Sequence, residues 1–298
     1  MTSTAAARAR GPIVWGDMDQ QALDDAYDQA KWAANQEIVT GRRGAAAADA
    51  LRHIAPPVRV AYGDAEIEKI DIYKTDRPNA PVAIFVHGGA WRRGRAADFA
   101  GQAEMFVRAG AHHAVLDFGS VDDHKGDLLA MAEQVRRAVA WVWKHAASFG
   151  GDPDRVFLTG HSSGAHLGSC AATADWSRHD ASQTLLKGAL LCSGMYDLAP
   201  VRRSKRSEYV KFTDEIEGEL SAIRHLDRLA CPVIVAVGTE ESPEFIRQSK
   251  DFVAAATAAG KQVELLVAKN YNHFEIGETL GNPYGVLGRA ALRMMGLG

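Results

Sequence analysis

Short apolar runs alternate with amphipathic stretches along most of this chain. An early pair of strands is predicted at 58–62 and 67–73, and amphipathic segments at 127–149 and 245–259 predict helices. Further apolar runs predict strands at 81–86, 113–118, 155–159, 189–193, 231–237 and 262–268. Because strands and helices alternate, we expect an α/β fold with a mostly parallel central sheet and helices on both faces.

The two ends of the pattern predict the domain organisation. Helical periodicity at 17–38 and 45–52 predicts an N-terminal helical flap over residues 1–56, ahead of one main domain at 57–298. No linker rich in Pro, Gly or Ser divides the main domain. The charge-rich stretch at 198–226 predicts a small cap. Residues 1–10 contain no apolar h-region and predict a disordered start, not a secretion signal.

Composition excludes several classes of partner. The chain of 298 residues is 47% hydrophobic and 24% charged, as in ordinary globular domains. Its net charge of −3 argues against nucleic acid or an anionic membrane as a partner, and no apolar run approaches the ~20 residues of a membrane span. A small-molecule substrate is the expected partner, while the oligomeric state stays open, a homodimer included.

Cysteine usage indicates a reducing compartment. Cys170, Cys192 and Cys231 are odd in number and scattered over helix and strand patterns, so we expect reduced core residues in a cytoplasmic protein. Cys and His show no paired metal-ligand spacing. Neither a metal nor a cofactor is expected.

A Gly-x-Ser-x-Gly segment at 160–164 directly follows the predicted strand at 155–159 and leads into a helical pattern. This context is that of a nucleophile elbow, in which a strained turn exposes the central serine and the flanking glycines avoid collisions. The motif alone is often only a turn. In this context it predicts Ser162 as a catalytic nucleophile.

An earlier loop has the composition of an oxyanion hole. The predicted strand at 81–86 ends in His-Gly-Gly-Ala-Trp at 87–91. Gly88 and Gly89 place no Cβ in the way, so their N–H groups could face a substrate oxyanion, and a third N–H is expected from Ser163. An ordinary Gly-Gly turn is the alternative. The order of the two loops, each after an apolar strand, favours the oxyanion hole.

A serine nucleophile also needs a histidine base, which in this arrangement follows the serine and then the acid in chain order. We favour His273 because it lies in a turn beyond the strand at 262–268, from which the imidazole could return to Ser162. The other downstream histidines lie in the elbow helix or in charge-rich stretches. They are His166, His179 and His225.

The acid that orients the base should follow the strand at 231–237. Two adjacent glutamates, Glu240 and Glu241, lie in that loop. Glu241 is favoured because it lies three residues beyond Gly238, and Glu240 remains the alternative. Either carboxylate could set the imidazole tautomer and stabilise imidazolium.

Candidate substrate-binding residues adjoin these loops. Trp91, Tyr271 and Phe274 could line an aromatic pocket or belong to the core. The predicted cap contains a basic cluster that could bind a substrate carboxylate, although a solvated face with acidic counter-charges at 214–219 is favoured. The basic cluster consists of Arg202, Arg203, Lys205 and Arg206.

Four segments together resemble the kynurenine formamidase (arylformamidase) group of α/β hydrolases. They are 87–91, 160–167, 193–198 (Ser-Gly-Met-Tyr-Asp-Leu) and 242–249 (Ser-Pro-Glu-Phe-Ile-Arg-Gln-Ser). Residues 23–29 resemble the entry helix of that group. The first two motifs are shared with hormone-sensitive-lipase-like esterases, whereas the last two favour the formamidases. Glu241 departs from the family pattern, which more usually has aspartate.

The resemblance implies an α/β-hydrolase fold and a serine hydrolase that cleaves an aryl formamide, amide or ester bond through an acyl-enzyme. N-formylkynurenine is the substrate that it favours. A short-acyl carboxylesterase is the alternative. A catalytically silent small-molecule receptor is a third hypothesis, but a receptor has no need to keep serine, histidine and acid together.

Overall fold

The computed structural model describes residues 10–298, so all but the last residue of the disordered start predicted for residues 1–10 lie outside them. The strands are β1 Ile13–Trp15, β2 Met18–Asp19, β3 Val58–Ala61, β4 Lys69–Tyr73, β5 Ala80–Val86, β6 His112–Leu116, β7 Gly151–His161, β8 Leu186–Cys192, β9 Val233–Gly238 and β10 Val263–Ala268. β1 and β2 pair on their own. The other strands form one eight-stranded sheet in the order β10-β9-β8-β7-β5-β6-β4-β3.

The helices account for the rest of the regular structure in the described residues. The α-helices are α1 Gln20–Ala26, α2 Gln36–Gly41, α3 Arg43–Ala50, α4 Ala103–Ala109, α5 Leu128–His145, α6 Ser163–Ala172, α7 Leu198–Arg203, α8 Asp214–Leu220, α9 Pro243–Ala258, α10 His273–Glu278 and α11 Val286–Met294. Short 3-10 helices lie at Gln29–Trp32, Ala96–Gln102, Ala146–Phe149, Trp176–His179, Lys205–Glu208, Ala222–Arg224, Leu226–Arg228 and Thr279–Gly281. Within this region no helix is long and apolar enough to cross a membrane.

The predicted mostly parallel sheet is confirmed. The strands from β10 to β6 in the spatial order run parallel, while β4 and β3 pair antiparallel at one edge. β5 is buried along its whole length, and its alternate residues enter two separate cores. Ile84 packs with α5, α6 and α9 residues, whereas Phe85 packs with α4 and α11 residues. Helices therefore cover both faces.

Local capping explains the position of the longest helix. The Asp127 carboxylate accepts the N–H of Leu129 at 2.8 Å, so α5 begins at Leu128 as the pattern predicts. Lys144 and His145 lie in its last turn, where a positive charge complements the helix dipole. The predicted extension to residue 149 is a 3-10 helix.

The continuous helix predicted at 17–38 is wrong. α1 ends at Ala26, and the chain then places two side chains against the main domain. Tyr27 Oη donates to Glu244 Oε2 at 2.8 Å, and Gln29 Nε2 donates to Ser242 Oγ at 2.7 Å. In a regular helix, side chains two positions apart differ by about 200° around the axis and so lie on nearly opposite faces. Docking both side chains on one surface therefore requires the helix to stop.

The parallel strands place the candidate residues together. Their carboxyl ends meet at one edge of the sheet, where open α/β sheets bind ligands. The loops after β5, β7, β8, β9 and β10 all leave from this edge. The roles of residues 10–56 as a flap and of 198–226 as a cap stay predictions.

Candidate active site

Ser162 occupies a strained turn between β7 and α6. Its φ of 59° and ψ of −128° are disfavoured for a residue with a side chain. The Ser162 N–H donates to the Cys192 carbonyl at 2.8 Å, which holds the turn against β8. A Cβ at Gly164 would overlap the Val86 carbonyl, and one at Gly160 would lie 2.7 Å from the Gly164 carbonyl. The two glycines are therefore required for this close packing.

A continuous hydrogen-bonded series joins Ser162, His273 and Glu241. His273 Nδ1 lies 2.7 Å from Glu241 Oε2, and His273 Nε2 lies 2.8 Å from Ser162 Oγ. Because an ionised carboxylate only accepts, the ring proton belongs on Nδ1, which leaves Nε2 to accept the Ser162 hydroxyl proton. All three side chains are buried. This geometry suits a serine activated by a histidine base.

The structure brings Glu241, not Glu240, to His273. The second oxygen of Glu241, Oε1, accepts the Gly238 N–H at 2.7 Å and the Ser193 hydroxyl at 2.6 Å. Glu240 is exposed; its backbone N–H donates to the Tyr271 carbonyl, and its Oε1 accepts from the Thr239 hydroxyl at 3.3 Å. The carboxylate that orients the imidazole is thus itself held by two donors.

Sequence reasoning missed Ser193 as a site residue. Ser193 is fully buried and has a φ of 55°, in the left-handed region that favours glycine. It follows β8, which lies between the strands that lead to Ser162 and to Glu241. Its place directly after a parallel strand was the available signal. Its hydroxyl orients the acid and does not touch the nucleophile.

The loop after β5 presents N–H groups beside Ser162. A Cβ on Gly88 would lie 3.0 Å from Ser162 Cβ, so only glycine allows this approach. Within residues 10–298, no group accepts a hydrogen bond from the N–H of Gly88, Gly89 or Ser163. Ser163 is also the first residue of α6, where the helix dipole favours negative charge. The three predicted oxyanion donors thus have no acceptor within these residues, and their role as an oxyanion hole stays a prediction.

His87 orients this loop, a role that sequence reasoning did not assign. Its Nδ1 donates to the Gly88 carbonyl at 2.9 Å, and its ring stacks on Phe118 at 4.3 Å. In a trans peptide the carbonyl points opposite to the next N–H. Holding the Gly88 carbonyl towards His87 therefore turns the Gly89 N–H the other way. Burial lowers the pKa of His87, so the ring stays neutral.

His161, directly before Ser162, forms a hydrogen bond with the backbone of His273. Its Nε2 donates to the His273 carbonyl at 2.8 Å, and the two rings lie 4.8 Å apart. Burial lowers the pKa of His161 well below its usual value, and the proximity of His273 lowers it further. His161 is therefore a neutral donor that fixes the backbone of the base.

A cavity of about 700 Å³ opens onto Ser162 and His273. The N-terminal segment, the loop after β5 and residues 205–209 all contribute to its wall. Of the three predicted aromatic residues, only Phe274 lines it. Trp91 is instead a core residue, 1% exposed, whose Nε1 donates to His166 Nδ1 at 3.2 Å. Tyr271 packs against the core that contains Phe85 and also does not line the cavity.

The basic cluster does not act as one surface. Arg202 pairs with Asp214 at 2.5 Å, as a solvated face with counter-charges predicts. Arg203 is exposed. Lys205 and Arg206 instead line the cavity, although charge pattern alone favoured solvent for them. The 3-10 helix that begins at Lys205 turns these two residues inward.

The chain matches the BD-FAE family over residues 70–255. It is 32% identical to a kynurenine formamidase of Danio rerio over 295 residues, which covers 95% of this chain and 98% of the relative. A kynurenine formamidase of Salmo salar is 30% identical with the same coverage of both chains. Among solved structures, a thermophilic esterase of Thermogutta terrifontis has a TM-score of 0.66 at 22% identity, covering 81% of this chain and 92% of that one. The last similarity concerns the fold alone.

Proposed function

The chain belongs to the BD-FAE family of α/β hydrolases and is a relative of the kynurenine formamidases, and from this premise we propose that it is a serine hydrolase of aryl formamides. Its relatives hydrolyse formamide or ester bonds, so the chain is a hydrolase. The observation that carries the finer proposal is the series Glu241–His273–Ser162 beside three free N–H groups. N-formylkynurenine is the proposed substrate because two nearly full-length relatives are kynurenine formamidases.

In the proposed first step, the Ser162 oxygen attacks the formyl carbon while His273 Nε2 takes the hydroxyl proton. The carbonyl oxygen becomes an oxyanion that accepts hydrogen bonds from the N–H groups of Gly88, Gly89 and Ser163. Glu241 stabilises the imidazolium. His273 then gives its proton to the aryl nitrogen, the C–N bond breaks, and the free arylamine leaves a formyl ester on Ser162.

In the proposed second step, water replaces the amine. His273 takes a proton from the water, whose oxygen attacks the formyl ester, and the same N–H groups hold the second oxyanion. The bond between Ser162 Oγ and the acyl carbon breaks as His273 returns the proton to Oγ. Formic acid leaves and releases its proton to water as formate, and the resting arrangement is restored.

The cavity is consistent with an aryl leaving group. Its volume lies in the range of sites for small organic molecules. Phe99, Tyr209 and Phe274 line it together with Ser162. A formyl group needs little space next to the nucleophile, so most of this volume is available to the amine part.

Replacing Ser162 by Ala tests the nucleophile. We expect Ser162→Ala to abolish both turnover and labelling by a fluorophosphonate, because the Ser162 hydroxyl is the group that His273 Nε2 contacts. Ser163→Ala is the matched control: it keeps the backbone N–H and loses only an acceptor for the Trp91 N–H, at 3.2 Å, so substantial activity should remain. Undiminished labelling of Ser162→Ala would contradict the proposal.

A rate comparison separates formamidase from esterase. We expect hydrolysis of N-formylkynurenine with a kcat/KM above that for p-nitrophenyl acetate. Brisk ester hydrolysis without formamide hydrolysis would instead indicate a short-acyl carboxylesterase. Binding of the formamide without turnover of either compound would indicate a silent receptor.

A further inference from the structure

Arg206 is a buried cation on the wall of the active-site cavity. It is 6% exposed. Nη1 donates to Tyr209 Oη at 2.8 Å and Nη2 to the Tyr27 carbonyl at 3.0 Å, both uncharged acceptors. Within the described part of the chain, its Nε has no acceptor and its guanidinium forms no ion pair. A buried charge without a counter-charge is costly, so this arrangement calls for an anion from outside the chain.

Burial singles out Arg206 among the cations on the cavity wall in the described residues. Arg43 is half-buried and Arg93 is exposed, and the other two form ion pairs. Lys205 Nζ lies 2.5 Å from Asp28 Oδ2, and Arg202 pairs with Asp214. Arg92, another lining residue, pairs with Asp122 at 2.8 Å. Arg206 instead packs its guanidinium on the Trp91 ring, with 5.2 Å between the guanidinium carbon and the ring centroid. That contact orients the cation without cancelling its charge.

The charge of the cavity is opposite to that of the whole protein. The chain carries a net charge of −3, yet cationic side chains outnumber acidic ones on the cavity wall. The cations are Arg43, Arg92, Arg93, Lys205 and Arg206; the acids are Asp28, Asp98 and Glu208. A concave surface of one sign concentrates ligands of the other sign. This cavity therefore favours an anionic substrate.

The position of Arg206 links it to the reaction centre. The Trp91 ring carries Arg206 on its face, and the Trp91 backbone N–H donates to Ser163 Oγ at 3.2 Å. Arg206 and Ser162 thus line one cavity, and Trp91 connects Arg206 to Ser163, the residue after Ser162. An anion on Arg206 would belong to the same molecule whose scissile bond lies at Ser162.

We propose that Arg206 is the specificity-determining residue that binds a carboxylate on the amine part of the substrate. This inference rests on the proposed hydrolase function and deepens it. A planar guanidinium with free N–H capacity matches a carboxylate, whereas the aromatic wall of the cavity would accept the ring between the carboxylate and the scissile bond.

The test compares matched substrates with and without the anion. We would measure kcat/KM for N-formylkynurenine and for its carboxamide, in the wild-type protein and in Arg206→Gln. The ratio of interest is kcat/KM for N-formylkynurenine divided by kcat/KM for the carboxamide. We expect Arg206→Gln to lower this ratio by about 10- to 100-fold, because a hydrogen bond to a charged group is lost. The loss should lie mainly in KM, as for binding shared by ground and transition states.

Two further variants keep this test decisive. Arg202→Gln removes a charge from the same cluster outside the cavity and should leave the ratio unchanged. Arg206→Lys keeps the charge and should recover part of the ratio. Equal losses on both substrates in Arg206→Gln, with thermal unfolding unchanged, would overturn the proposal.

A second pair of compounds separates failure of this inference from failure of the proposed formamidase function. If the wild-type protein hydrolyses neither formamide, the formamidase proposal fails. The same ratio is then measured on 4-acetoxybenzoate and 4-acetoxybenzamide, which are esters. A preference for the carboxylate that Arg206→Gln abolishes would support the role of Arg206, and its absence would overturn that role.

Discussion

At the scale of single residues, the two glutamates after β9 have opposite surroundings although they are adjacent. Glu241 is 2% exposed and contacts His273, while Glu240 is exposed to solvent. We expect Glu241→Gln to lower kcat by up to ~10⁴-fold, because an amide cannot fix the imidazole tautomer as a carboxylate does. Glu240→Gln should change kcat little. Steady-state kinetics at saturating substrate checks this, and a crippled Glu240→Gln would contradict it.

Ser193 acts on the reaction only through Glu241. Removing its hydroxyl should therefore lower kcat less than replacing Glu241 does. Ser193→Ala removes the hydroxyl donor to Glu241 Oε1 and leaves the Gly238 N–H as the remaining donor. We expect kcat to fall roughly tenfold with KM unchanged, in line with one hydrogen bond to a charged group.

Ser249→Ala is the matched control for Ser193→Ala. Ser249 is equally buried, but its hydroxyl donates to the Phe245 carbonyl inside α9. A similar fall in kcat in both variants would indicate a general packing effect, not positioning of the acid.

At the scale of elements, the contact between α6 and the end of β5 sets the elbow. A Cβ at Gly164 would overlap backbone atoms of Val86 and His87, which cannot move without shifting β5. We expect Gly164→Ala to lower the free energy of unfolding by about 3 kcal/mol, the upper end of typical overpacking costs. Urea denaturation of the purified variant measures this.

Gly168 in the same helix provides the control for Gly164. A Cβ there would lie 3.2 Å from Leu191 Cδ2, the end of a flexible side chain. Because alanine also favours helix by about 1 kcal/mol over glycine, Gly168→Ala should remain within about 1 kcal/mol of the wild type. Equal destabilisation of the two variants would argue against backbone overlap as the cause.

At the scale of the whole molecule, buried histidines couple stability to pH. Burial lowers the pKa of His113 to about 3 and that of His166 to about 4. An unfolded histidine titrates near 6.5, so below that pH the unfolded chain takes up protons that the folded chain cannot. The free energy of unfolding should therefore be highest above pH 6.5 and fall as the pH drops towards 4.

Replacing His113 isolates one such contribution. His113 is fully buried and stacks on Phe106 at 4.5 Å, so phenylalanine is a suitable replacement. Between pH 6.5 and pH 5, the free energy of unfolding of the wild type should fall by about 2 kcal/mol more than that of His113→Phe. Urea denaturation at several pH values measures the two slopes, and parallel slopes would contradict the prediction.

The sequence by itself determined the fold class and predicted which residues form the candidate active site. Apolar runs and glycine positions are local signals, so the strand before each loop and the elbow around Ser162 could be predicted directly. His273 and the loop with Glu240 and Glu241 followed from topology, because carboxyl ends of successive parallel strands must meet at one edge of the sheet. Only the structure places Glu241 rather than Glu240 against His273.

Only the tertiary structure decided features that depend on contacts between distant segments. The helix predicted at 17–38 is broken by docking on residues more than 200 positions away, which no local pattern contains. Trp91 and Arg206 are similar in this respect. The first is buried and the second faces the cavity without an ion pair in residues 10–298, because burial and charge neutralisation depend on which distant side chains are close.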